Sequence, residues 1–182
     1  MMSYNNIFLL RHLKTQNNEL HIISGQSDSE IIEADCTKFD LSKFDEIYCS
    51  FSPRCKRTLE ILGEQPVLSS YIKYDERLIE RNMGKLEGIA KKRGEKIYPD
   101  LFREEAFNVF KTPPQGESYE SFKKRVEDFY KEKLKLDKGL KILICSHNQT
   151  LKLLRLLILE EDITYLSWSA FSFNNGELVK IK

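Results

Sequence analysis

Three short apolar runs in this chain end in side chains that could bind or handle an anion. Ile7–Leu10 runs into Arg11-His12, Glu46–Cys49 leads to Ser50 and Arg54, and Lys141–Cys145 leads into Ser146-His147-Asn148. Each run is bounded by polar residues, the pattern of a short buried strand. Ligands of open α/β sheets bind outside the carboxyl ends of the strands. If the three strands are parallel neighbours, two arginines and two histidines share one crevice. Arg54 also follows Ser52 and Pro53, residues that read as the N-cap and first position of a helix. A cation in that first turn opposes the helix dipole, so it points to an anionic ligand rather than to helix stability. The helix after Ser146-His147-Asn148 repeats the arrangement, with Asn148 as its cap. Guanidinium forks match tetrahedral oxyanions, and the expected guest is a dianion such as phosphate.

The elements that must position these residues follow from periodicity. "SYESFKKRVEDFYKEKL" sets Tyr119, Phe122, Val126 and Phe129 on one helical face, with Ser118 as N-cap. "QTLKLLRLLILEE" is apolar on most sides, as a helix in a large core is. Near the C-terminus, "AFSFNNGELVKIK" predicts a hairpin, with Asn175-Gly176 supplying the two positive φ values of a type I′ turn. Strands alternating with helices predict an α/β three-layer sandwich, a largely parallel central sheet flanked by helices and made mixed by that hairpin. Residues 88–116 predict one or two short helices over the sheet edge, ending in a Pro-Pro-Gln-Gly loop. "AKKRGEK" within them reads as a solvated basic loop.

Bulk properties bound the function. The chain has 182 residues, 41% hydrophobic and 31% charged, which suits one soluble globular domain. A net charge of +1, from 29 basic and 28 acidic residues, gives no support for a nucleic-acid partner. No 18-residue apolar run predicts a membrane span, and "MMSYNNIFLL" lacks the basic flank and apolar length of a signal peptide. Cys36, Cys49, Cys55 and Cys145 have no metal-like spacing and read as reduced, mostly buried thiols of a cytoplasmic protein.

Five segments, in order and over nearly the whole chain, resemble the histidine phosphatase superfamily, also called phosphoglycerate-mutase-like. "LLRHLKTQNN" is similar to its Arg-His-Gly-x-Thr-x-x-Asn opening, with the Asn matched to Asn17. "CSFSPRCKRT" is similar to its second arginine motif and selects Arg54 over Arg57, while "LIERNMGKLEG" selects Glu80. "QGESYESFKKRV" and "ILICSHNQTLKLL" resemble its Gly-Glu-Ser helix start and its strand ending in Ser-His. The resemblance implies a single domain over 1–182, with 88–116 as a variable cap-like insertion. It also implies a metal-independent phosphatase that works without a cofactor on a small phosphorylated metabolite through a phosphohistidine. His12 would be the nucleophile. Arg11, Arg54 and His147 would hold the phosphoryl oxygens, Glu80 would serve as general acid and then base, starting protonated, and Asn17 and Asn148 would contact phosphate.

Two positions depart from the family pattern: Leu13 and Asn148 stand where glycine is common. Leu13 either narrows the pocket or turns into the core. A mutase returning the phosphoryl group to its substrate shares all of this chemistry, although the chain lacks the long insertion associated with the glycolytic mutases. A catalytically inactive module that binds a phosphorylated ligand is the second alternative, favoured by Leu13 alone. His12, His147 and Glu80 could also be read as a two-histidine, one-carboxylate metal set; two arginines beside them would repel a divalent cation, so no metal is expected.

Overall fold

The computed structural model describes residues 6–32, 37–64, 71–136 and 139–181; Cys36 and the first five residues lie outside these. In chain order the elements are β1 (Asn6–Arg11), α1 (Gln16–Glu19), β2 (Glu46–Cys49), α2 (Pro53–Leu62), β3 (Ile72–Tyr74) and α3 (Lys91–Ile97). They continue with β4 (Phe102–Arg103), β5 (Ala106–Phe107), α4 (Tyr119–Phe129), β6 (Lys141–Ser146), α5 (Asn148–Ile158), α6 (Tyr165–Ser169) and β7 (Leu178–Lys180). The central sheet has the order β3-β2-β6-β1-β7. Its first four members are mutually parallel, and β7 runs antiparallel to β1.

Strand periodicity builds the three layers. Successive side chains on a strand point to opposite faces. On β6, Ile142 and Ile144 join Ile7 and Leu9 of β1 in a core shared with Phe122, Val126 and Phe129 of α4 and the apolar side of α5. Leu143 and Cys145 face the other way, onto Leu10, Ile47, Cys49 and the Cys55, Leu59 and Leu62 face of α2. Both sheet faces are therefore buried, which is why the central strands read as unbroken apolar runs. Phe122 and Phe129 are fully buried, each contributing about 2–3 kcal/mol by removal from water. Among the described residues no helix is long and apolar enough to cross a membrane.

The C-terminal hairpin expected from Asn175-Gly176 does not form. Residues 171–174 are not a strand. β7 pairs instead with β1, through Leu9↔Val179. Gly176 has φ +72°, but Asn175 lies outside the left-handed region, so the turn is not type I′. The turn serves another end: the N–H of Gly176 donates to the carbonyls of Arg11 and His12. The Asn175 Nδ2 also donates to His12 O at 3.0 Å. The sheet is mixed because β7 joins it antiparallel.

A two-residue hairpin does occur at β4–β5, where Glu104 and Glu105 both adopt left-handed φ. The Arg103 guanidinium stacks 3.9 Å from the Tyr165 ring centroid, tying this hairpin to α6. "AKKRGEK" is the N-cap Ala90 and all of α3 but its last residue, rather than a loop. The fully buried Arg81 grips the chain that follows, donating to the carbonyls of Val109, Lys111 and Glu117.

Candidate active site

The register Arg11↔Ser146 and Cys49↔Cys145 brings the ends of β1, β6 and β2 side by side. Above them opens a cavity of about 510 Å³ whose walls include Arg11, His12, Asn18, Arg54, Glu80 and Asn148. His147 lies one layer deeper, fully buried, with its ring 5.3 Å from that of His12 at an angle of 60°.

His12 is 4% exposed. Its Nδ1 donates to the carbonyl of Leu13 at 2.7 Å, which leaves the Nε2 lone pair as the ring's reactive site. Burial, then the positive fields of Arg54 and Arg11, push its pKa down to about 3. The imidazole is therefore neutral at physiological pH, as attack requires. Burial, followed by the same arginines and His12, also holds His147 well below the ordinary histidine range. Its Nε2 meets Ser50 Oγ at 2.9 Å.

Each arginine is anchored while part of its fork stays unused. Nη1 of Arg11 donates to Phe173 O at 2.6 Å. Arg54 donates to the carbonyls of Ser27 and Gly25 at 2.7 and 2.8 Å and to Asp28 at 3.2 Å, holding the loop around Gly25 against α2. Among the described residues, the buried side-chain polar atoms without a partner are Arg11 Nε, Arg54 Nε and His147 Nδ1. All three belong to this site. Buried polar groups are nearly always paired in folded proteins. Unpaired guanidinium N–H groups beside one cavity are chemically suited to an oxyanion. Arg57, the competing arginine, is exposed and paired with Glu60.

Glu80 follows β3 and a 3-10 turn, Glu76–Leu78. It is 9% exposed. It accepts from the backbone N–H groups of Arg81, Gln149 and Thr150 and from the Thr150 hydroxyl, at 3.0 to 3.3 Å. The N-terminus of α5 is thus occupied by a carboxyl group of the chain itself. The expectation that it receives the ligand is corrected: of the two helix starts only that of α2, through Arg54, presents a cation to the cavity. His147 rather than Asn148 stands at the cap position of α5. Asn148 uses its Oδ1 to accept from Ser172 and Phe173 and still reaches the cavity wall. Asp75 is engaged by Arg77, which leaves Glu80 as the carboxyl of that segment on the cavity.

One assignment shifts. Asn18 lines the cavity, whereas Asn17 turns its Nδ2 to Ser24 Oγ at 3.2 Å. The signal was present: Thr15 and Asn18 form a capping box, which requires a three-residue spacing. Leu13 is 1% exposed and packs with Leu10, Cys55 and Leu59 beneath the site. Of the two readings of Leu13, the structure selects the core residue over the pocket wall. Sequence reasoning also passed over Glu87, which accepts from the N–H groups of Gln26, Ser27 and Met83 and joins the Gly25 loop to the Glu80 segment. His21 is an exposed loop residue. Among the described residues no group of three or more metal-ligating side chains converges.

The profile of the histidine phosphatase superfamily (branch 1) matches residues 7–182. The chain is 31% identical over 173 residues to a 2,3-bisphosphoglycerate-dependent phosphoglycerate mutase of Cytophaga hutchinsonii, covering 88% of this chain and 81% of that protein. It is also 31% identical over 153 residues to a protein of Hydrogenobacter thermophilus provisionally named a phosphoserine phosphatase, covering 80% and 74% of the two chains. Among solved structures, YhfR of Bacillus stearothermophilus shares the fold with a TM-score of 0.78 at 22% identity, over 96% of this chain and 89% of that one.

Proposed function

Because the chain belongs to the histidine phosphatase superfamily, we propose that it is a metal-independent phosphomonoesterase acting on a small phosphorylated metabolite through a phosphohistidine at Nε2 of His12. The observation that carries this reading is a neutral His12 set on one cavity between Arg11 and Arg54, each with a buried, unpartnered Nε, and packed on His147, whose Nδ1 is also without a partner.

The substrate's phosphoryl oxygens take these donors, which offset the charge spread over them in the transition state. Nε2 of His12 bonds to phosphorus as the ester P–O bond breaks on the opposite side. The leaving oxygen takes a proton from Glu80. The Leu13 carbonyl, 2.7 Å from Nδ1, faces the positive charge that the ring acquires. Water then attacks phosphorus, Glu80 takes its proton, and the N–P bond breaks to release phosphate and neutral His12. Rigid strand ends suit this task because small misplacements of reacting groups are costly. The buried, unbridged thiols of Cys49, Cys55 and Cys145 accord with a reducing, cytoplasmic setting.

A mutase reading keeps one specific support, the 31% identity to the Cytophaga protein. The inactive-module reading loses its support, since Leu13 lies in the core. The test is phosphate release from a panel of phosphomonoesters, in chelator, by wild type and by His12→Ala. Release that disappears in the variant establishes the hydrolase. Phosphoryl transfer within the substrate, without free phosphate, establishes the mutase.

A further inference from the structure

The cavity also has an apolar lining. Its walls include Phe102 and Phe107 of the β4–β5 hairpin, Trp168 of α6, and Phe171. The Phe102 and Phe107 rings meet edge to face with centroids 6.0 Å apart, and Phe171 is braced on Phe173 at 4.8 Å. This is the lining of a site for an apolar, flat body, with room for a molecule larger than phosphate.

One cation stands within it. Lys152 lies on α5, the helix that begins directly after His147, and lines the cavity between Gln149 and Trp168. Its Nζ sits 4.7 Å from the Trp168 ring centroid. Among the described residues no carboxylate lies within ion-pair distance of it, although surface lysines such as Lys73 and Lys124 hold such partners. Burial lowers its pKa to about 8, with the Glu80 field opposing the shift. A half-buried ammonium held by a ring but by no counter-ion keeps part of its desolvation cost, which an apolar residue packed on Trp168 would not carry. Lys91, exposed at the start of α3, adds a second positive charge at the rim of the same cavity.

We propose that Lys152 is a specificity-determining residue that receives a second anionic group of the substrate. The preferred substrate is then a phosphomonoester whose apolar or aromatic body lies among Phe102, Phe107, Trp168 and Phe171 and carries a carboxylate or second phosphate at its far end. This deepens the phosphatase reading and rests on it for the word substrate. The two-anion recognition itself is a property of binding and can be measured without turnover.

The experiment uses non-hydrolysable ligands: benzylphosphonate, 4-carboxybenzylphosphonate and para-xylylene bisphosphonate, titrated calorimetrically into wild type, Lys152→Met and Lys152→Arg, each verified as folded. Wild type is expected to bind at least one doubly anionic ligand about tenfold or more tighter than benzylphosphonate. Which ligand gains more distinguishes a carboxylate site from a phosphate site. Lys152→Met should bring the ratio close to one, and Lys152→Arg should keep most of it. A ratio near one in wild type, a ratio that survives in Lys152→Met, or no binding of any ligand at millimolar concentration overturns the proposal. A role for Lys152 in packing alone would leave the ratio unchanged. Phosphate release from phenyl phosphate is assayed in parallel. Turnover without two-anion preference sinks only the role of Lys152, whereas two-anion preference without turnover sinks only the hydrolase.

Discussion

Oγ of Ser50 lies 2.9 Å from Nε2 of the buried His147, a pairing that bears on which ring nitrogen carries the proton. Ser50 Oγ also accepts from the N–H of Ser52 at 3.3 Å. With that N–H directed at its oxygen, the hydroxyl proton is available to His147 Nε2. The expected tautomer then carries the ring proton on Nδ1, the buried nitrogen without a protein partner. Ser50 is a positioning residue in this account.

Ser50→Ala therefore removes the fixing of the tautomer. The neighbouring Cys55 Sγ, 3.6 Å from the same nitrogen, is only a weak substitute. We expect kcat/KM to fall about tenfold, the worth of one ordinary hydrogen bond in a buried site. Imidazole nitrogen chemical shifts should show Nδ1 protonated in wild type and a mixed population in the variant. A wild-type ring protonated at Nε2 would refute the assignment.

The low pKa of His12 makes stability depend on pH. In the unfolded chain the imidazole takes a proton below about 6.5, while in the folded protein it waits until about 3. Between those values the unfolded state binds more protons, so stability falls as pH falls and rises as pH rises. At about 1.4 kcal/mol per pH unit, His12 alone accounts for roughly 2–3 kcal/mol lost between pH 6.5 and 4.5. His147 acts in the same direction. Urea midpoints should drop over this window, and His12→Asn should flatten the drop. Equal pH slopes for the two proteins would show that the His12 ring titrates normally.

Residues at the ends of short buried strands were legible in the sequence, because an apolar run that stops at Arg-His or Ser-His has one physical reading once neighbouring strands are parallel. What failed depended on contacts distant in sequence. Asn175-Gly176 has strong hairpin chemistry, yet its side chain and N–H groups hold the backbone at the end of β1, more than 160 positions away. Glu104-Glu105 has no hairpin chemistry, yet it turns the chain where Arg103 stacks on Tyr165, 62 positions later. The start of α5 looked open to an anion until Glu80, 69 positions earlier, filled it. Lys152 was hidden inside a helix read as apolar on most sides; which of its positions face a cavity is set by packing, not by periodicity.

Leu13 supplies a test that separates fold from function. It is buried among Leu10, Cys55 and Leu59, and its own N–H donates to Thr58 Oγ1 at 2.9 Å. Only its carbonyl takes part in the site, and the carbonyl survives substitution. Leu13→Ala should lower the unfolding free energy by about 2–4 kcal/mol with little change in kcat per folded molecule. Unchanged stability with a large loss of kcat would place the side chain in the pocket after all.

The role of Glu80 can be separated from charge alone by the leaving group. A carboxamide keeps the shape of the side chain but cannot deliver a proton to a departing oxygen. An alkoxide requires that proton, whereas para-nitrophenolate leaves without it. Glu80→Gln should therefore reduce kcat on an alkyl phosphate by about 10²–10⁴-fold and spare the first step on para-nitrophenyl phosphate. The second step still lacks its base, because the same side chain must take the proton of the attacking water. Phosphohistidine should then accumulate, seen as a burst of nitrophenol stoichiometric with enzyme followed by slow turnover. Equal losses on both substrates with no burst would mean that Glu80 acts through the N-terminus of α5, whose N–H groups it holds, and that the proton comes from another group.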